Sequence, residues 1–353
     1  MTAVGYTNRR LRRSGTVPGW APWAAYGAAS VLAVILSRGS GINVALLVVA
    51  AVILAGTAIY LWSRAVEGSR RATDRVATLA VTSTFAIAMV PLVSLLATAI
   101  QKGSGRFDFA FFTESLRNVV GGGGGAVHAI IGTLVITGLA TFMAVPIGIL
   151  TAVYLREYGA GRRLAAAVTF FVDVMTGIPS IVAGLFAYAL FALFLGPGVR
   201  LGIVGAVALT VLMIPIVVRA TEEMLRIVPN SLREAAYALG IPKWKTIVRV
   251  VLPTALGGII TGVMLAIARV VGETAPLLVT TGVITSANWN PFEGRMMNLS
   301  VFAYFQYKAP GVPPEPYFAR AWAAALTLII IVLVLYFVAR LISLRWGRTE
   351  ILK

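Results

Sequence analysis

The chain has no cysteine and a single histidine, His128. A disulfide framework, a thiolate metal site and a multi-histidine metal centre are therefore excluded. Charge is scarce: charged residues make up 12% of the chain, with only 13 Asp and Glu in 353 residues. A soluble domain carries about 25% charged residues. No Walker-type nucleotide motif is present. The one glycine run, Gly121 to Gly125, has neither the following Lys-Ser/Thr nor the preceding strand that a phosphate-cradling loop needs. It is expected to be a flexible hinge. No nucleophile, base and oxyanion-donor arrangement can be assembled, so the chain is not expected to be an enzyme.

What is present is apolar. Hydrophobic residues are 59% of the chain and the mean hydropathy is +0.89. The apolar runs are long enough for membrane helices, about 20 residues each, and lack the alternation of a β-barrel. About eight spans are expected, at 20–37, 42–62, 76–100, 127–155, 164–195, 201–218, 255–284 and 321–343. The fold class is thus an all-α polytopic membrane protein. Arg9, Arg10, Arg12 and Arg13 precede the first run like a signal n-region, but no small-residue cleavage site follows, so a retained anchor is expected.

The net charge of +17 is a matter of topology. With both termini cytoplasmic, the inner segments hold the basic clusters, such as Arg64 to Arg75, Arg156 to Arg163 and Arg219 to Arg249. The outer segments hold isolated ones such as Lys102, Arg200 and Lys308. That is the positive-inside pattern, and it argues against nucleic acid as a partner. Residues 1–75 read as a basic tail, an accessory two-helix hairpin and a charged linker, Ser63 to Arg75. Residues 76–353 read as the working core, with a cytoplasmic loop at 220–254.

Charged residues inside apolar spans are costly and count as functional candidates. Arg269 and Glu273 are four apart, in A-R-V-V-G-E-T-A-P-L, and are expected to share a helix face and to pair. Two readings stand. The pair neutralises itself for insertion, or Arg269 meets an anionic substrate while Glu273 holds its guanidinium, whose fork suits an oxyanion. Arg219 reads as a snorkelling interfacial arginine or a pathway residue. Asp173 either pairs with a base on a neighbouring helix or caps the helix restarting near Ser180. His128 reads as interfacial. The fifth span is interrupted at Gly177, Pro179 and Ser180, and a broken membrane helix must be buried in protein or line a wet cavity. The last outer loop, Ser286 to Arg320, reads as a cover or a contact for an extracellular partner.

Between two apolar runs lies a polar, basic corner, Asn230 to Pro253. Ser231 and Glu234 have capping-box spacing. Gly240 suits a left-handed helix end, Pro242 opens a second short helix, and Pro253 is expected to close it. Glu234-Ala235-Ala236, then Gly240, then Leu252-Pro253, resembles the coupling loop of bacterial ABC importer permeases. T-G-I-P-S-I-V-A-G-L-F, V-R-A-T-E-E-M-L and A-R-V-V-G-E-T-A-P-L-L narrow the resemblance to phosphate-specific permeases of the PstA type, from about Val76 to the C-terminus. It implies a six-helix type I permease core, here with an N-terminal two-helix extension that departs from the family pattern. It further implies a bacterial inner-membrane complex of two permeases (the second PstC-like), two copies of a PstB-like ATPase, with Glu234 to Gly240 docking into the ATPase subunit, and an extracytoplasmic PstS-like phosphate-binding protein. ATP and Mg belong to the ATPases, and no cofactor or metal belongs to this chain. Arg219, Arg269 and Glu273 occupy positions implicated in phosphate passage. The rival expectations are a permease for sulfate or molybdate, an ion-driven secondary transporter, and a membrane sensor.

Overall fold

The computed structural model describes residues 44–347 and part of 16–35. Every regular element among the described residues is helical. Six helices are long and apolar enough to cross a membrane, and one bent pair, Arg163–Thr176 with Ser180–Leu195, passes the same test as a single broken span. Much of the first expected span, 20–37, lies outside the described residues, as do the arginines at 9, 10, 12 and 13. The described residues therefore supply seven of the eight expected spans when the bent pair counts as one.

By packing, the chain divides into Met1–Ala97 and Thr98–Lys353. In the first unit, α1 (Val44–Val66) turns at Gly68, φ +92°, into α2 (Ser69–Gly103). The segment 63–75 is thus no linker. It is the last turn of one helix, a glycine corner and the first turns of the next. The Glu67 carboxylate, 1% exposed, accepts from Arg75, from the Ser63 hydroxyl and from the Val17 amide. These bonds hold it down to about 2, below the usual carboxylate range, with the Arg75 bonds the largest cause.

The second unit continues with α3 (Phe109–Thr113), α4 (Val127–Val153), α5 (Arg163–Thr176), α6 (Ser180–Leu195) and α7 (Gly202–Ile227). These are followed by α8 (Asn230–Ala238), α9 (Lys243–Thr246), α10 (Leu252–Val271), α11 (Ala275–Thr280), α12 (Leu299–Lys308) and α13 (Glu315–Gly347). α7 is central and packs against α4, α5, α6, α10 and α11. Small residues let the backbones approach, as membrane packing requires in the absence of a hydrophobic drive between helices. A Cβ on Gly148 of α4 would lie 2.6 Å from Val217 Cγ1, and one on Gly262 of α10 would lie 2.4 Å from Ala220 Cβ. Gly258 meets Met224 and Gly262 meets Ala220, so α7 and α10 run antiparallel.

Two loops differ from expectation. The glycine run is clamped. Arg320, 2% exposed, donates to the Gly121 and Gly123 carbonyls, each at 2.8 Å, and to Gln306 Oε1 at 3.0 Å. It also stacks on Tyr317, whose hydroxyl accepts from the Gly121 amide. Glycine is needed there for geometry: Gly121, Gly123 and Gly124 have positive φ, and a Cβ on Gly125 would meet the Ala110 carbonyl oxygen at 2.4 Å. The last long loop also inserts into the core. Met296, Met297, Leu299 and Phe302 are buried, and the Leu299 amide donates to Thr133 Oγ1. His128, in the first turn of α4, is buried edge-on against Phe302.

Candidate functional site: the coupling corner and the intramembrane charges

The corner forms as two short helices, with two corrections to their expected ends. α8 begins at Asn230 with Pro229 as its N-cap and no side-chain cap, so Ser231 and Glu234 form no capping box. The cause is Pro229. It forces the preceding Val228 into an extended conformation, ends α7 at Ile227 and moves the helix start forward. Gly240 does take the left-handed position, φ +73°. The Gly240 amide donates to the Tyr237 carbonyl and the Ile241 amide to the Ala236 carbonyl, as in a Schellman end. Pro242 is the N-cap of α9. Pro253 does not close that helix. α9 passes through a π-helical turn, Ile247–Val251, straight into α10, with Pro253 in its first turn. A proline ring clashes with the carbonyl four residues back in an α-helix, and a wider turn just before it relieves that clash.

The outward side of the corner is an exposed apolar patch around one acid. Glu234 and Ala235 are exposed, and Leu232, Tyr237, Leu239 and Trp244 are 40%, 42%, 80% and 61% exposed. Ala236 is buried, and its small side chain lets the helix lie close to the turn beneath. Arg233 points the other way. Its guanidinium donates to Glu157 Oε1 at 2.8 and 3.3 Å, to the Leu225 carbonyl at 3.0 Å and to the Val228 carbonyl at 2.7 Å. Sequence reasoning singled out neither member of this pair. Their separation of 76 residues leaves no local signal.

The broken span is present. α5 ends at Gly177, α6 restarts after Pro179, and the two axes bend by 111°. Asp173, just before the break, does not cap the restart. Its Oδ1 accepts from Arg219 of α7, whose other arm donates to Glu222 at 2.7 Å. Arg219 is therefore shared between two carboxylates, not simply snorkelling. Beyond the break, α6 lies directly on α11: a Cβ on Gly184 would sit 2.6 Å from Pro276 Cα.

Arg269 and Glu273 do not pair. α10 ends at Val271 with Gly272 as its cap, so Glu273 is past the helix and off its face. The Glu273 carbonyl accepts from Ser300 Oγ at 2.6 Å, which ties this segment to α12. Arg269 is exposed in the last turn of α10 and makes no ion pair with a described residue. A cation there is favoured by the helix dipole without a partner. Gly262 and Ala220 are level, so Arg219 and Arg269 stand about 9 Å apart along the paired axes at 1.5 Å per residue. The structure gathers Arg219, Asp173 and Glu222 into one cluster and leaves Arg269 and Glu273 apart from it. No group of three or more metal-ligating side chains occurs among the described residues.

A bundle with a bent span and a protruding helical corner defines a class, the inner-membrane components of binding-protein-dependent transport systems. That family's model matches residues 144–348. The inward-facing MetNI methionine ABC transporter shares the fold, with a TM-score of 0.51 at 23% identity over 63% of this chain and 96% of that one. A phosphate transport system permease protein PstA 1 of Mycobacterium tuberculosis is 48% identical over 276 residues, 77% of this chain and 89% of the relative. The PstA of Mycobacterium leprae is 49% identical over 274 residues, covering 76% and 88%, and that of Yersinia pestis is 38% identical over 274 residues, covering 77% and 90%. The chain belongs to the PstA family of phosphate transport system permease proteins, a multi-pass membrane family within that class.

Proposed function

We propose that this chain is the permease subunit through which an ATP-driven importer passes inorganic phosphate, and that it works with a second, related permease. The observation that carries the reading is the coupling corner. Its apolar patch around Glu234 is set outward on a helix of only 9 residues, in a chain of the PstA family. One of two ATPase subunits, which bind ATP and Mg, receives this corner, and a phosphate-binding protein meets the opposite face. The corner's end is the cytoplasmic one, and both termini lie on that side, because Arg156, Arg226, Arg233, Lys243, Lys245 and Arg249 gather there. Residues 1–75 are taken as accessory and 76–353 as the working core, a reading supported by a family match that lies wholly within the latter, at 144–348.

Along the path, Arg269 offers an unpaired guanidinium to a tetrahedral oxyanion. Arg219 offers one that the anion wins only by displacing Asp173 or Glu222, which keeps binding weak enough for release. Glu273 shapes the backbone beside the path and does not hold Arg269. The bend at Gly177 to Ser180 exposes backbone groups near the path and acts as a hinge. The test is ATP hydrolysis by the reconstituted complex with its binding protein. Phosphate stimulates it, and sulfate and molybdate do not. Stimulation by molybdate or sulfate alone replaces the substrate, and transport without an ATPase replaces the class.

A further inference from the structure

We propose that Arg233 and Glu157 are a positioning pair that carries the displacement of the coupling corner into α4 and α7. The inference rests on the reading that the corner receives an ATPase. α10 already grows out of the corner as one continuous helix. Nothing in the chain's connectivity links the corner to α4, whose last turn is 76 residues from Arg233.

One guanidinium supplies that link. It joins α8 to three places at once: the Glu157 carboxylate in the π-helical turn Tyr154–Tyr158 that ends α4, the last turn of α7 through the Leu225 carbonyl, and the connection beyond it through the Val228 carbonyl. The fixed fork of five N–H donors is what makes such a bridge rigid. The pair is shielded, with side chains 11% and 6% exposed. A screened surface pair would transmit little; a shielded, charge-assisted one holds. A second contact fixes the same turn to the other half of the corner: Lys243 Nζ of α9 lies 4.9 Å from the centre of the Tyr158 ring. Both short helices therefore seat on the end of α4.

What α4 receives it shares with α7. Gly148 of α4 and Val217 of α7 interlock too closely for a Cβ. α7 in turn carries Arg219, bonded to Asp173 just before the break. The corner, α4, α7 and the broken span thus form one mechanical train. The Glu157–Arg233 pair is its first joint. The joint stays closed while the train moves, because packed interfaces shift as bodies and do not stretch.

The chain's lack of cysteine gives a clean background for labelling. Spin labels at Leu150 of α4 and Phe337 of α13, 69% and 62% exposed, report the separation of those helices in the assembled complex in lipid. The separation shifts when ATP binds to the natural chain. Glu157→Gln and Arg233→Gln lose the shift while the ATPase still co-purifies. Glu157→Gln leaves the Arg233 bonds to Leu225 and Val228 in place, so it is decisive if Arg233→Gln fails to assemble. In unlabelled complexes, phosphate carried per ATP hydrolysed falls about tenfold in the Glu157→Cys/Arg233→Cys pair, within the range of such coupling effects, and recovers when a short bifunctional thiol reagent bridges the two. Recovery marks a joint that acts by position and not merely by fold. The proposal is overturned if the shift survives Glu157→Gln, if the natural chain shows no shift, or if bridging abolishes the remaining transport. An intact shift with no phosphate uptake by the natural complex removes phosphate as substrate and leaves the joint standing.

Discussion

Replacing Arg320 should release the glycine loop, and the cost can be worked from its contacts. The guanidinium makes three hydrogen bonds, at 2.8, 2.8 and 3.0 Å, and lies 4.6 Å from the Tyr317 ring centre. A bond from a charged donor is worth about 1.5–3 kcal/mol, and a buried acceptor left unsatisfied costs about 1–3 kcal/mol. Removing the side chain also removes the cost of burying its charge, so simple addition overstates the loss. Arg320→Met is expected to destabilise by about 3–5 kcal/mol, the range found when one partner of a buried charged contact is lost. At about 2.1 cal/mol/K per residue, 1 kcal/mol corresponds to roughly 1–2 °C in a chain of 353 residues, so Tm should fall by roughly 3–10 °C. Arg320→Lys keeps the charge but not the fork and should fall between the natural chain and Arg320→Met. The assay is thermal unfolding in lipid together with hydrogen exchange at Gly121 to Gly125. An unchanged Tm with unchanged exchange refutes the clamp and returns the run to a free hinge.

Three further outcomes are expected. Glu67 has a depressed folded value of about 2 against 4.5 unfolded, so its contribution is complete above pH 4.5 and is lost as pH falls towards 2. Protection of the Val17 amide from exchange should follow that window, and Glu67→Gln should remove the dependence; a loss centred above pH 5 contradicts it. Gly184→Val puts new atoms against the Pro276 backbone, 2.6 and 2.9 Å away at the Cβ alone, and should cost about 1–3 kcal/mol in thermal unfolding. No loss would mean that α6 and α11 are not in contact. Glu234→Arg reverses an exposed charge that caps nothing, so stability should stay within about 0.5 kcal/mol while co-purification with the ATPase is lost; retained co-purification contradicts docking there.

Local chemistry was legible in the sequence, and distant pairing was not. Gly240, Pro242 and the break at Gly177 and Pro179 were readable because backbone conformation at glycine and proline is a property of a few adjacent residues. The long spans were readable from hydropathy for the same reason. Two of the local readings failed because a neighbour displaced them. Pro229 moved the start of α8 away from Ser231, and Gly272 ended α10 before Glu273 could share a face with Arg269. Arg233 with Glu157, Arg219 with Asp173 and Arg320 with Gly121 are 76, 46 and 199 residues apart. Only packed helices bring them together. The charges that looked most exceptional by sequence, Arg269 and Glu273, make no ion pair with a described residue, whereas ordinary-looking Arg233 is the most heavily bonded residue of the corner.

The most direct measurement is ATP-driven accumulation of labelled phosphate in vesicles holding the complete complex, with the natural chain and with Arg269→Gln. The account predicts accumulation that sulfate and molybdate do not displace, and a loss of about tenfold or more in Arg269→Gln, since each 1.4 kcal/mol of lost anion stabilisation is a factor of ten. Undiminished accumulation with Arg269→Gln would contradict a phosphate path past this residue.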